Sequence, residues 1–172
     1  MSELLNTRDI DKFAEDVYKF ASEKMPKESR KFIRKQGKNL LQATQREAIF
    51  SGIHHKSHTY YDSIKQGKVY KYKKNGAISN RVYSSDNKAH LLEEGHREVL
   101  NPVDNKKVAP IGDGRFAKGV KKGKGIGKEI GFVKGYHVFS NAAKEYEETY
   151  NKECEKFIED VVIKEIIKWL RY

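Results

Sequence analysis

The residues best suited to chemistry lie in four short stretches. His54, His55 and His58 cluster in HHKSH. His54 and His58 are four apart, and on a helix that spacing would set both imidazoles on one face, as a zinc site needs. No Cys, Asp or Glu stands immediately beside them to complete a ligand set, and Gly52 opposes helix there. A solvated polar turn is the expectation. His90 and His96 bracket Leu91-Leu92-Glu93-Glu94-Gly95. Six residues apart, they do not share a helical face, and Gly95 marks a turn rather than a hydrolytic metal site. GKGIGKEIG, residues 123–131, has the residue types of a phosphate loop. Such a loop needs a strand before it and a helix after it, so that N–H groups converge on the anion. Here only more loop follows. Cys154 would need a base and an orienting group to act as a nucleophile, and its place beside an apolar stripe points to packing. No catalytic set, metal or cofactor is expected, and the chain reads as a non-enzyme.

Charge is the stronger signal. Lys and Arg number 35 against 24 acids, a formal net of +11 over 172 residues. A basic surplus of this size suits a polyanionic partner, either nucleic acid or an acidic protein surface. The surplus peaks in residues 101–135, where nine basic residues face three acids (Asp104, Asp113 and Glu129), a net of +6. The basic residues include Lys106, Lys107, Arg115, Lys118, Lys121, Lys122, Lys124 and Lys128, and eight of the chain's 13 glycines share the segment. Glycine and like charge oppose self-ordering, so a long basic insertion facing a partner or DNA is expected. Hydrophobic residues make up only 37%. A core this lean gains from association, because a partner buries the missing apolar surface. The lone Cys154 excludes an intrachain disulfide and suits a reducing cytoplasm. The acid-bearing N-terminus does not read as a signal peptide, and no apolar run reaches the ~18 residues of a membrane span.

These stretches need elements to hold them. Ile10, Phe13, Val17, Phe20 and Ala21 recur at helical spacing, and Pro26 is expected to end that first helix or start the next. A second helix is predicted over about residues 27–49. Asn75-Gly76 between alternating segments, 69–74 and 77–84, predicts a two-residue β-hairpin with Val69 facing Val82 and Tyr70 facing Arg81. Residues 87–95 predict a short helix capped by Gly95. Residues 130–139 predict a later strand with Phe132, Tyr136 and Val138 inward. Residues 142–170 predict a long final helix, opened by Ser140 or Asn141, with Phe157, Val161 and Trp169 in its apolar stripe. The fold class is α+β: N-terminal helices, a small antiparallel sheet built on the hairpin plus the later strand, and a long C-terminal helix. One domain over 1–172 is expected, with 101–135 as its inserted loop. Val69, Val82, Phe157, Val161 and Trp169 are expected to be mostly buried, if not in the free chain then in an assembly.

Three segments carry a family resemblance. TYYDSIKQGKVYKYKKNGAISNRVYS, KAHLLEEGH and GYHVFSNAAKEYEETYNKECEKFIEDVV follow one another in this order. Together they resemble the head–tail joining and tail-completion (neck) proteins of long-tailed bacteriophages, typified by the gene-ten product of a lambdoid phage. The family's Ser-Ile stretch matches Tyr61–Ile64, its "AxxLExGH" turn matches Ala89–His96, and its "HxFxxA" junction matches His137–Ala142. The resemblance implies a structural virion component without catalytic residues, made in the host cytoplasm and built into the neck. It implies self-association in a ring, a hexamer being slightly favoured, and contacts with the connector and tail terminator. DNA in the channel is a further implied partner, and no membrane is. The alternative reading from charge and the ten tyrosines is a basic nucleic-acid-binding module.

Overall fold

The computed structural model describes residues 7–53, 59–100 and 129–169. In chain order the elements are α1 (Thr7–Lys19), α2 (Met25–Phe50), α3 (Thr59–Ser63), β1 (Ile64–Gln66), β2 (Tyr70–Lys71) and β3 (Ile78–Ser79). They continue with β4 (Val82–Ser84), α4 (Ala89–Glu94), β5 (Gly95–Val99), β6 (Glu129–Lys134), α5 (Val138–Phe157) and α6 (Lys164–Trp169). The fold is α+β. The chain divides into two compact units, each gathered from separated stretches: Met1–Asn39, Gln66–Arg81 and Tyr146–Tyr172 in the first, Leu40–Lys65 and Val82–Glu145 in the second.

In the first unit the helix does not stop at Pro26. Phe20–Lys24 widens into a π-helical stretch, the backbone stays in the right-handed helical region at Lys19 and Met25, and α2 begins with Pro26 as its second residue. Proline lacks an N–H and its ring crowds the carbonyl four residues back; a wider turn relieves both. The C-terminal helix runs antiparallel to these helices along a ladder of contacts. Trp169 meets the edges of Phe13 and Phe20 at 6.0 and 5.4 Å, and Phe157 stacks on Phe32 at 4.6 Å. Lys24 pairs with Glu165, Lys35 with Glu153 at 2.7 Å, and Tyr146 donates to the Gln36 side chain. The hydrogen bond from Lys35 holds the Glu153 carboxyl below the usual carboxylate range. Phe157, Val161 and Trp169 are all half-buried. A second π stretch, Ile158–Ile163, separates α5 from α6, where a single helix was expected.

The hairpin also belongs to this unit, with a different register from the one predicted. Tyr70 faces Ser79 rather than Arg81, and Lys71 faces Ile78. Tyr72 N–H donates to the Ala77 carbonyl at 2.9 Å, so the loop holds four residues, Lys73 to Gly76. A two-residue type I′ turn needs positive φ at both central positions. Only Gly76 adopts it, at φ +71°. Asn75 instead accepts a hydrogen bond on its side-chain oxygen from Ala77 N–H at 3.1 Å, the Asx turn that competes with the left-handed conformation. The hairpin base is tied to α2, where Gln66 donates to the Arg34 carbonyl at 2.8 Å.

In the second unit Ala48, Tyr60, Ile64 and Val138 form a buried cluster, with Leu41, Val82, Leu92 and Phe139 packed against it. Val82 is drawn into this cluster through β4, which pairs with β1. It therefore does not face Val69. Gly95 ends α4 as expected, at φ +82°. The chain then forms β5, a strand absent from the sequence prediction. β5 pairs antiparallel with β6, from Gly95 opposite Lys134 to Val99 opposite Glu129. The predicted single sheet is thus three separate two-stranded ladders, β1–β4, β2–β3 and β5–β6. α5 starts at Val138, four residues before the expected start, so Ser140 and Asn141 lie inside it. Its cap comes from elsewhere: the Glu93 carboxylate accepts from the backbone N–H groups of Phe139 and Ser140, both at 3.1 Å. A carboxylate there meets unpaired donors and the positive end of the helix dipole. His137, just ahead, takes a left-handed φ of +54°.

Candidate interaction surfaces

The expected site residues Lys106, Lys107, Arg115, Lys118, Lys121, Lys122, Lys124 and Lys128 lie outside the described residues. What the structure describes is their mount. The insertion leaves from β5 and returns through β6, so its two ends are held side by side by one antiparallel ladder. The strand predicted over 130–139 forms as β6, Glu129–Lys134, so the last residues of the 101–135 segment are strand rather than loop. A register irregularity between Glu98 and Val99 sits at the end of the ladder nearest the insertion, and Arg97 pairs with Glu129 at 3.6 Å. β6 is exposed along nearly its whole length. Phe132 is 62% exposed and Ile130 41% on one face, while Val133 is exposed on the other. β5 beside it is mostly half-buried, and a two-stranded ribbon with one strand this exposed is marginally stable in water by itself. Of the predicted inward trio, only Val138 is buried; Phe132 and Tyr136 are exposed. β5 was visible only as an alternation in HREVL, with no turn signal before its partner.

His90 is exposed and His96 half-buried on β5, opposite Val133. Both ring nitrogens of His96 are buried without a hydrogen-bond partner among the described residues. His54 and His58 lie outside the described residues. Among the described residues no three His, Cys, Asp or Glu side chains are grouped to hold a metal. Cys154 is half-buried and interacts with Tyr150, whose hydroxyl is pushed up by burial and by that contact. Tyr60 is buried, and its hydroxyl has no hydrogen-bond partner among the described residues. Burial, reinforced by the charges of Glu93 and Asp86, raises it to about 12.

The first unit carries a cleft of about 430 Å3 beside Trp169, lined among others by Lys12, Asp16, Lys24, Glu165 and Lys168. Its charges are mixed in sign, five lysines to four acids, and Lys24 pairs with Glu165 across it. The cleft thus holds little excess of one charge to recruit an ion. On the same unit Ile10, Phe13, Ile166 and Ile167 remain exposed around the Trp169 end of the helices. The β2–β3 hairpin presents Tyr70 and Tyr72 to solvent among lysines. Its signal was legible but uncounted in the sequence: residues 66–81 contain Lys68, Lys71, Lys73, Lys74 and Arg81 and no acid. Among the described residues no helix is long and apolar enough to cross a membrane. Comparison with known proteins finds no matching family model, no matching curated protein and no matching solved structure.

Proposed function

We propose that this chain is a structural subunit of the neck of a long-tailed bacteriophage or prophage, joining head to tail or completing the tail as one copy in a ring. The observation that carries the reading is the β5–β6 ribbon, which bears apolar side chains on both faces and holds the ends of the basic insertion. Such a ribbon gains stability when a neighbour covers it. Adjacent copies, the connector or the tail terminator supply that cover, and the insertion then reaches an acidic protein surface or the DNA channel. The exposed Ile10, Phe13, Ile166 and Ile167 offer a second contact for a neighbouring subunit. The role is structural, and the resemblance of Ala89–His96 and His137–Ala142 to the neck family supports it.

The test is genetic and visual. A stop codon in this gene, in the phage or prophage that encodes it, is expected to yield separate filled heads and tails by electron microscopy. Adding purified protein is expected to restore joined, infectious particles, and Phe132→Ser protein is expected to restore them at least about tenfold less well. Normal, infectious particles in the absence of the chain would overturn the proposal.

A further inference from the structure

We infer that the β2–β3 hairpin is a binding platform for single-stranded nucleic acid, on which bases stack against Tyr70 and Tyr72 while the surrounding lysines meet the phosphates. The inference stands apart from the neck reading, since it concerns a different surface.

Three observations converge. First, the hairpin with its flanks, residues 66–81, carries five basic residues and no acid. A charge this one-sided attracts a phosphate backbone. Second, Tyr70 and Tyr72 are two apart on β2 and its extension, so they share one face. Their ring centroids are 5.1 Å apart in an edge-to-face arrangement, and their exposures are 39% and 51%. Third, the residues opposite them are small. Tyr70 faces Ser79 in the ladder, and Tyr72 bonds across to Ala77. Directly across the ladder the rings therefore meet only a serine and an alanine, and both rings keep exposed surface. The four-residue loop places Lys73 and Lys74 at the tip, just beyond Tyr72, while Lys71 stands on the other face of the strand with its side chain reaching toward Gly76 in the loop.

This combination favours a single strand over the other polyanions. A duplex keeps its bases stacked inside and would use the lysines alone. An acidic protein surface would likewise gain little from two open ring faces. Unpaired bases use both features, because each has a π-face for an aromatic ring and a phosphate for a lysine.

The experiment measures fluorescence anisotropy of the full-length protein with labelled oligothymidine of roughly 16 nucleotides, with a duplex of equal length, and with heparin as competitor. The single strand is expected to bind about tenfold or more tightly than the duplex. The double variant Tyr70→Ala, Tyr72→Ala is expected to lose about tenfold or more on the single strand while leaving duplex affinity within about twofold. Tyr70→Phe, Tyr72→Phe keeps both rings and is expected to retain single-strand affinity; it also serves as the folding control by circular dichroism. Replacing Lys71, Lys73 and Lys74 by Gln is expected to flatten the salt dependence by about two units of slope. Unchanged single-strand binding in both the Ala and Gln variants would assign binding to another basic segment and overturn the inference. Tighter binding of duplex than of single strand, or equal loss on both in the Ala variant, would overturn it as well.

Discussion

Gly37 on α2 leaves the space that the side-chain amide of Asn80 fills. A methyl group at Gly37 would overlap the Asn80 oxygen and the Gln66 amide. Asn80 is not free to withdraw, because its nitrogen donates to the Gly67 carbonyl at 2.8 Å. The hairpin thus docks on a helix through a glycine that is otherwise a poor helix former.

Gly37→Ala is therefore expected to run against the usual rule. In an open helix the change would add about 1 kcal/mol of stability. Here it is expected to remove about 1–3 kcal/mol, the range for overpacking. Urea denaturation followed by circular dichroism measures the sign, and a gain in stability would show that the hairpin base relaxes freely.

Glu93 caps α5 from outside the helix, since its carboxylate takes the N–H groups of Phe139 and Ser140. Glu93→Ala is expected to cost about 1–2 kcal/mol. Glu93→Gln keeps an acceptor oxygen but not the charge, and is expected to cost about half as much. Thermal melts of the three proteins at low and high salt separate the two parts, because only the charge component is screened.

Trp169 contacts Phe13 and Phe20 but is only half-buried in the single chain. A fully buried tryptophan would lose about 3–5 kcal/mol on truncation. Trp169→Ala is expected to cost about 2 kcal/mol in the isolated protein. A larger loss in the assembled state would place this end of the helices under a neighbour. Denaturation profiles at low and high protein concentration make the comparison.

Tyr60 links stability to alkaline pH. An ordinary tyrosine titrates near pH 10, and in the fold Tyr60 is raised to about 12. The fold favours the neutral phenol, so its contribution is complete below about pH 10. It declines as pH rises from there toward 12, because the unfolded chain ionises first. The hydroxyl has no hydrogen-bond partner among the described residues, so Tyr60→Phe is expected to be neutral or stabilising by about 1 kcal/mol at pH 7. Between pH 10 and 11 it is expected to lose less stability than the parent. Guanidinium midpoints across that range test the slope, and a parallel decline in both proteins would assign it to other groups.

Periodicity and turn residues determined a good deal of this protein on their own. The apolar repeats of Ile10, Phe13, Val17 and Phe20, and of Phe157, Val161 and Trp169, sit at helical spacing, and both stretches are helical. Gly95 ends α4, and Asn75-Gly76 lies in a hairpin loop. These signals are local: a dihedral requirement or a side-chain period is written within a few residues. Tertiary structure decided what depends on distant partners. The hairpin register shifted because Val82 joins the cluster of Ile64 and Val138 instead of Val69. The start of α5 moved to Val138 because Glu93 supplies the cap that Ser140 was expected to provide. β5 took shape only by pairing with β6 across residues 101–128, a separation no local pattern spans. The open faces of β6 and of the tyrosine pair likewise follow from which residues stand opposite, a matter of pairing that residue type alone does not encode.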